Sequence, residues 1–107
     1  MAASGRFKSK KLLAWVREMA CCVLDLSCNG PIEAHHLMKP WVDGRGMGMK
    51  ATDKNVVPLC AFHHRQMHTK YGDEFKFFAA HFRPESYGQL LAERIYRDFT
   101  GDGGGHP

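Results

Sequence analysis

Apolar residues recur at helical spacing at Leu12, Leu13, Val16 and Met19, which predicts a first helix capped by Ser9 and running to about Ala20. The pattern then breaks. Cys22 to Pro31 is turn-rich and ends in Asn29-Gly30-Pro31. Ile32 to Leu37 mixes apolar and polar positions as a short strand does, and Asn55 to Leu59 (NVVPL) fits the second strand of a hairpin, with Pro58 confining it to an edge. Between them, Lys39 to Asp53 holds Pro40, Gly44, Gly46 and Gly48 and keeps no period, so it reads as a long loop of the kind small domains reserve for function.

The pattern turns helical again at Ala61 and stays so to about Lys70, although this stretch is too polar for a core helix and places its histidines at helical spacing. Asp73 can cap a further helix to about Phe82, with Phe75, Phe78 and Ala79 inward. Pro84 fits the first position of a last helix ending near Phe99, whose apolar stripe is Leu90, Leu91, Ile95 and Phe99. Residues 1–8 read as a flexible basic arm and 101–107 (GDGGGHP) as a disordered tail, leaving one domain over 9–100. The fold class expected is α+β: a helix, two strands split by a long loop, a histidine-bearing helix and two packing helices.

With 107 residues the chain has room for one small core, so a bound metal is a natural staple. No apolar run approaches the length of a membrane span, and the segment after the basic N-terminus carries Arg17 and Glu18 instead of a signal-peptide core. A cytoplasmic protein is therefore expected, and in that compartment Cys21, Cys22, Cys28 and Cys60 suit metal ligation better than disulfides. The net charge of +4, with Arg6, Lys8, Lys10 and Lys11 near the start, is compatible with a polyanionic partner such as nucleic acid and equally with a solubilising surface.

Five of the seven histidines fall in two tight groups, and these change the picture most. His64 and His68, four apart on a helix, present both imidazoles on one face, where they can share a cation. His35 and His36 are adjacent in a strand and would point to opposite faces, unless the strand ends there and both reach one cleft. Asn55, across the hairpin, can tie down the long loop using both the donor and the acceptor of its amide. Cys22 and Cys28 before the first strand, with Cys60 and His63 after the second, make a Cys3His set that structural zinc accepts; Cys21 is the alternative to Cys22.

His35-His36, Asn55, and His64 with His68 resemble the motif of the HNH, or ββα-metal (His-Me finger), endonucleases, and the spacing Asn55-x8-His64-x3-His68 is similar to that of the colicin-type DNases. The stretches AWVREMACC, IEAHHL, GMGMKATDKNVVPLC and HHRQMH resemble small phage and bacterial HNH proteins of the Ref type. The resemblance covers about residues 9–72. It implies a ββα-metal core with a zinc knuckle, in which His35, His64 and His68 hold a catalytic divalent ion (zinc, nickel, manganese or magnesium). His36 would be the general base and Asn55 the brace. Hydrolysis of DNA to 5′-phosphate and 3′-hydroxyl ends would follow, in a bacterial host cell if the protein is phage-encoded. Family members are commonly knotted by a Cys-x2-Cys pair, whereas Cys22 and Cys28 have five residues between them. Arg45, Lys50, Lys54 and Arg65 lie near the expected site as phosphate contacts. No separate recognition module is evident, so sequence preference would be slight or supplied by a protein partner. The rival readings are a zinc-stabilised DNA-binding module without cleavage and a zinc domain for protein interaction.

Overall fold

The computed structural model describes residues 7–44 and 50–101. Among the described residues, four α-helices surround one two-stranded sheet: α1 (Lys10–Val16), β1 (Ile32–His36), β2 (Val56–Cys60), α2 (Ala61–Gln66), α3 (Glu74–Ala80) and α4 (Tyr87–Phe99). The protein is thus small α+β. The arm expected over 1–8, apart from Phe7 and Lys8, and the tail expected over 101–107, apart from Gly101, lie outside the described residues, as does Arg45.

β1 and β2 pair antiparallel, from Ile32 opposite Cys60 to His36 opposite Val56. β2 is buried at every position, because α1 and α4 cover one face while the Cys21–Phe78 core packs on the other. Pro58 is tolerated in it because only one neighbour asks for its hydrogen bonds. α2 follows β2 directly. Cys60 is its N-cap, its sulfur accepting from the His63 N–H.

Three helices differ from the expected bounds. α1 stops at Val16 because the next bonds tighten to three-residue turns, Glu18 N–H to Trp15 O and Met19 N–H to Val16 O. The histidine helix runs as α only to Gln66 and then widens into a π turn over Met67–Tyr71, closed by the Gly72 N–H on Met67 O at 2.7 Å. Gly72 sits at φ 66°, the left-handed end that lets the helix stop. Pro84 begins a turn, its carbonyl accepting from Tyr87, so α4 starts three residues later than expected.

Two apolar faces are also rotated from expectation. In α3, Glu74, Phe77 and Phe78 are buried while Ala79 is exposed and Phe75 is only half-buried. The reason is Glu74, whose carboxylate is drawn inward by three donors described below. In α4 the buried residues are Gly88, Ala92 and Ile95, and Leu90 is exposed. Gly88 permits this: a Cβ there would lie 2.8 Å from the Phe78 ring and 3.2 Å from Leu37, so the bare backbone is what lets α4 come close.

Candidate functional site

β1 ends at His36, and its last two side chains diverge as strand neighbours must. His35 is buried and faces α2 and α3. Its Nε2 lies 3.0 Å from Glu74 Oε1 and its Nδ1 lies 3.2 Å from His64 Nε2. His64 in turn places Nδ1 2.7 Å from Glu33 Oε1. An ionised carboxylate can only accept, so the ring protons sit on His35 Nε2 and His64 Nδ1. The two nitrogens that face each other are therefore both bare. His68, one turn along from His64, brings its ring centroid to 5.0 Å from His64 and 5.7 Å from His35.

Lone pairs at this separation repel unless something positive lies between them. Burial lowers the His35 pKa, against the pull of Glu74, which disfavours a shared proton. Burial and the neighbouring His64 lower that of His68. One ring nitrogen from each of the three histidines falls within 4.8 Å of the others. Two nitrogens on one tetrahedral ion stand about 3.3 Å apart, so the His35–His64 spacing fits a divalent transition metal. Carboxylates behind the ligand rings, as Glu74 and Glu33 are here, fix tautomer and orientation at metal sites.

His36 points to the other side, where its Nε2 meets Asp53 Oδ1 at 2.7 Å. The second oxygen of Asp53 accepts from the Ser9 N–H at 2.9 Å. Asp53 thus accepts from the Nε2–H, which leaves Nδ1 of His36 bare. His35, His36, His64 and His68 nevertheless border one open cleft of about 320 Å³, together with Lys50.

Asn55 is fully buried and uses its whole amide. Oδ1 accepts from Trp41 N–H at 2.8 Å and Val42 N–H at 3.4 Å, and Nδ2 donates to Val42 O and Thr52 Oγ1. It ties the described start of the long loop to the residues before β2, as its sequence position suggested.

A second cluster lies among the residues around the start of α2. His63 Nδ1 is 3.6 Å from Cys21 Sγ, 3.5 Å from Cys28 Sγ and 3.2 Å from Cys60 Sγ. The N–S edge of a zinc tetrahedron is about 3.6 Å, and Cys3His is a structural zinc set. The other ring nitrogen of His63 faces Ser27 Oγ at 3.1 Å and Asp25 Oδ1 at 3.4 Å. The Ser27 hydroxyl donates to Asp25, so it accepts from His63 Nε2–H, and bare Nδ1 is left pointing at the sulfurs. Burial raises the Cys21 thiol to about 11. Burial also acts on Cys60, but backbone N–H groups of His63 and Asn29 outweigh it and lower its pKa. All four cysteines are free of disulfides.

The cysteine that joins this cluster from the N-terminal side is Cys21, and Cys22, favoured from the sequence, is outside it. The Cys22 N–H bonds to Pro58 O and its carbonyl accepts from Tyr87, which holds its side chain among Leu37, Val57 and the core. The five-residue gap to Cys28 becomes a six-residue one, spanned by turns at Leu24 and Cys28. Gly30 then closes the approach: at φ 86° its Cβ would lie 2.7 Å from that of Ala61.

Of the basic residues expected at the site, Lys50 borders the histidine cleft and Arg65 is exposed on α2. Lys54 is turned into the fold, 3.5 Å from Asp43 and over the rings of Tyr96 and Phe7. Sequence reasoning missed Glu33, Asp53 and Glu74. The signal for Glu74 was present: with Phe77 and Phe78 it forms an i, i+3, i+4 face.

Residues 3–88 match the model of a family described as protein of unknown function (DUF968), and the chain belongs to that family. It is also similar to the uncharacterized protein YdfU of Escherichia coli (strain K12), 33% identical over 78 residues. The match takes in 66% of this chain and 21% of YdfU, so the chain corresponds to about a fifth of that relative's length. No solved structure matches.

Proposed function

We propose that this member of the DUF968 family is a metal-dependent endonuclease that hydrolyses phosphodiester bonds of DNA, a small ββα-metal core held by a zinc knuckle at Cys21, Cys28, Cys60 and His63. The observation that carries the reading is the pair of bare imidazole nitrogens, His35 Nδ1 and His64 Nε2, 3.2 Å apart and each backed by a carboxylate, beside a third imidazole and an independent base. A zinc fold alone has no use for that second set.

His35, His64 and His68 would hold a divalent ion, which would supply Lewis acidity to the phosphodiester. Imidazole ligands favour zinc, nickel or manganese over magnesium. His36 accepts a proton from water at Nδ1, while Asp53 on Nε2 stabilises the imidazolium that results. Asn55 keeps the residues before β2 rigid, and so fixes Asp53 two positions earlier. Lys50 and Arg65 offer charge to the phosphates flanking the cut.

The test is nicking of supercoiled plasmid with zinc, nickel, manganese and magnesium added singly, followed by end analysis. Cleavage leaving 5′-phosphates is expected with at least one of the transition metals. DNA binding without cleavage under every metal would instead identify a non-catalytic, zinc-stabilised DNA-binding module.

A further inference from the structure

The histidine cleft does not end at His36. A second open cleft of about 340 Å³ shares His36, Lys50 and Ala51 with the first and continues to Phe7 and Lys8. His36 therefore stands at the junction of two arms, one leading to the three metal-directed imidazoles and the other to the chain's N-terminal segment.

The wall of the second arm is built, not incidental. Asp53 N–H bonds to Phe7 O at 3.2 Å and Ser9 N–H bonds to Asp53 Oδ2 at 2.9 Å, so residues 7 to 9 are stitched to the segment before β2. Phe7 packs edge-on to Tyr96 with centroids 5.4 Å apart. Lys8, between these anchors, is exposed. Among the described lining residues of both arms the one carboxylate is Asp53, and its two oxygens are engaged by His36 and Ser9. The arm thus offers cationic and aromatic surface, with both oxygens of its one carboxylate occupied by hydrogen bonds, the combination that tracks a phosphodiester strand and contacts its bases. Its volume is that of a small-molecule site.

We infer that the Phe7–Lys8 arm is a subsite for the nucleotide next to the scissile phosphate, with Lys8 at the flanking phosphate and Phe7 against the nucleoside. The inference rests on the nuclease reading for which nucleotide it holds, but binding of a strand there can be measured without cleavage. It makes Lys8 a strand-positioning residue, distinct from the equally basic Lys10 two residues on, which is exposed at the start of α1 and borders neither arm.

The experiment measures fluorescence anisotropy of short labelled DNA oligonucleotides on His64→Ala protein, whose substitution lies outside the Phe7–Lys8 arm, alone and carrying Lys8→Glu or Lys10→Glu, across a salt series. Plasmid nicking by the parent runs in parallel. Thermal melts confirm that both exposed-site variants fold. Lys8→Glu is expected to weaken binding about 10-fold and to reduce the slope of log affinity against log salt by about one, with Lys10→Glu changing affinity less than about 2-fold. Equal effects of the two substitutions, large or small, overturn the subsite, as does absence of any binding. A parent that never nicks while Lys8→Glu still selectively weakens binding leaves the subsite standing and removes the nuclease reading. A parent that nicks while the two variants bind alike does the reverse.

Discussion

Glu74 is the substitution that loads most onto one side chain. It is 1% exposed, and Oε1 accepts from His35 Nε2 at 3.0 Å and Met38 N–H at 2.8 Å while Oε2 accepts from Lys39 N–H at 2.8 Å. Glu74→Ala strands a buried imidazole N–H and two backbone donors. At about 1–3 kcal/mol for each buried donor left unpaired, with water able to rescue the more exposed Lys39 end, the loss is about 3–5 kcal/mol. That is a large part of what a domain this size has. Glu74→Gln is the informative variant. Its amide oxygen can keep His35 and Met38, but its NH2 then faces the Lys39 N–H, for a loss of about 1–3 kcal/mol. The same change loosens the orientation of His35, which at metal sites costs about 10- to 100-fold in affinity. Urea denaturation reads the first quantity. Competition for nickel or zinc against a chromophoric chelator reads the second, and it should show one weakened site beside an unaltered tight one at the cysteines. If both variants keep the parent's midpoint and both affinities, Glu74 is not the buried acceptor that positions His35.

Cys21→Ser should lower bound zinc and the melting temperature, whereas Cys22→Ser should leave metal content intact; native mass spectrometry distinguishes them, and equal loss in both would return Cys22 to the ligand set. Asn55→Ala removes the acceptor of Trp41 and the donor to Val42 and Thr52 from a fully buried position, and about 2–4 kcal/mol should vanish from the urea-derived stability; a change under about 0.5 kcal/mol would mean the loop does not depend on it. Burial depresses the His35 pKa, so the unfolded chain takes up the proton first as pH falls. The associated stability is present above the ordinary imidazole value of about 6.5 and is lost as pH drops through the lowered folded value. Metal-free protein should therefore have a lower urea midpoint at pH 5 than at pH 7.5, with the difference shrinking in His35→Gln; the same difference in both proteins would refute the assignment.

Spacing alone made part of this site legible. His64 and His68 meet because four residues make about one helical turn, and Asn55 braces because it enters β2 opposite the end of β1. The choice between Cys21 and Cys22 was not legible, since both precede the same turns. It is decided by which backbone N–H pairs with Pro58, a contact 36 residues away. Glu33 and Asp53 look like ordinary surface or helix-start acids in sequence, Glu74 shows only that it shares a helix face with Phe77 and Phe78, and the fold brings each to a histidine. The helix phases failed for a related reason. Counting apolar residues cannot see that a carboxylate is the buried member of α3, or that a glycine is the contact point of α4. The π turn after Gln66 has no apolar signature either.

In the proposed mechanism His36 is a base acting beside an ion held by His35, His64 and His68. Single-turnover plasmid cleavage, compared among the parent, His36→Ala and His64→Ala at saturating metal, tests it most directly. His36→Ala should slow cleavage by about 100-fold or more while retaining parental metal affinity, and His64→Ala should lose metal and cleavage together. Cleavage by His36→Ala at the parent's rate, or by His64→Ala with undiminished metal binding, would contradict it.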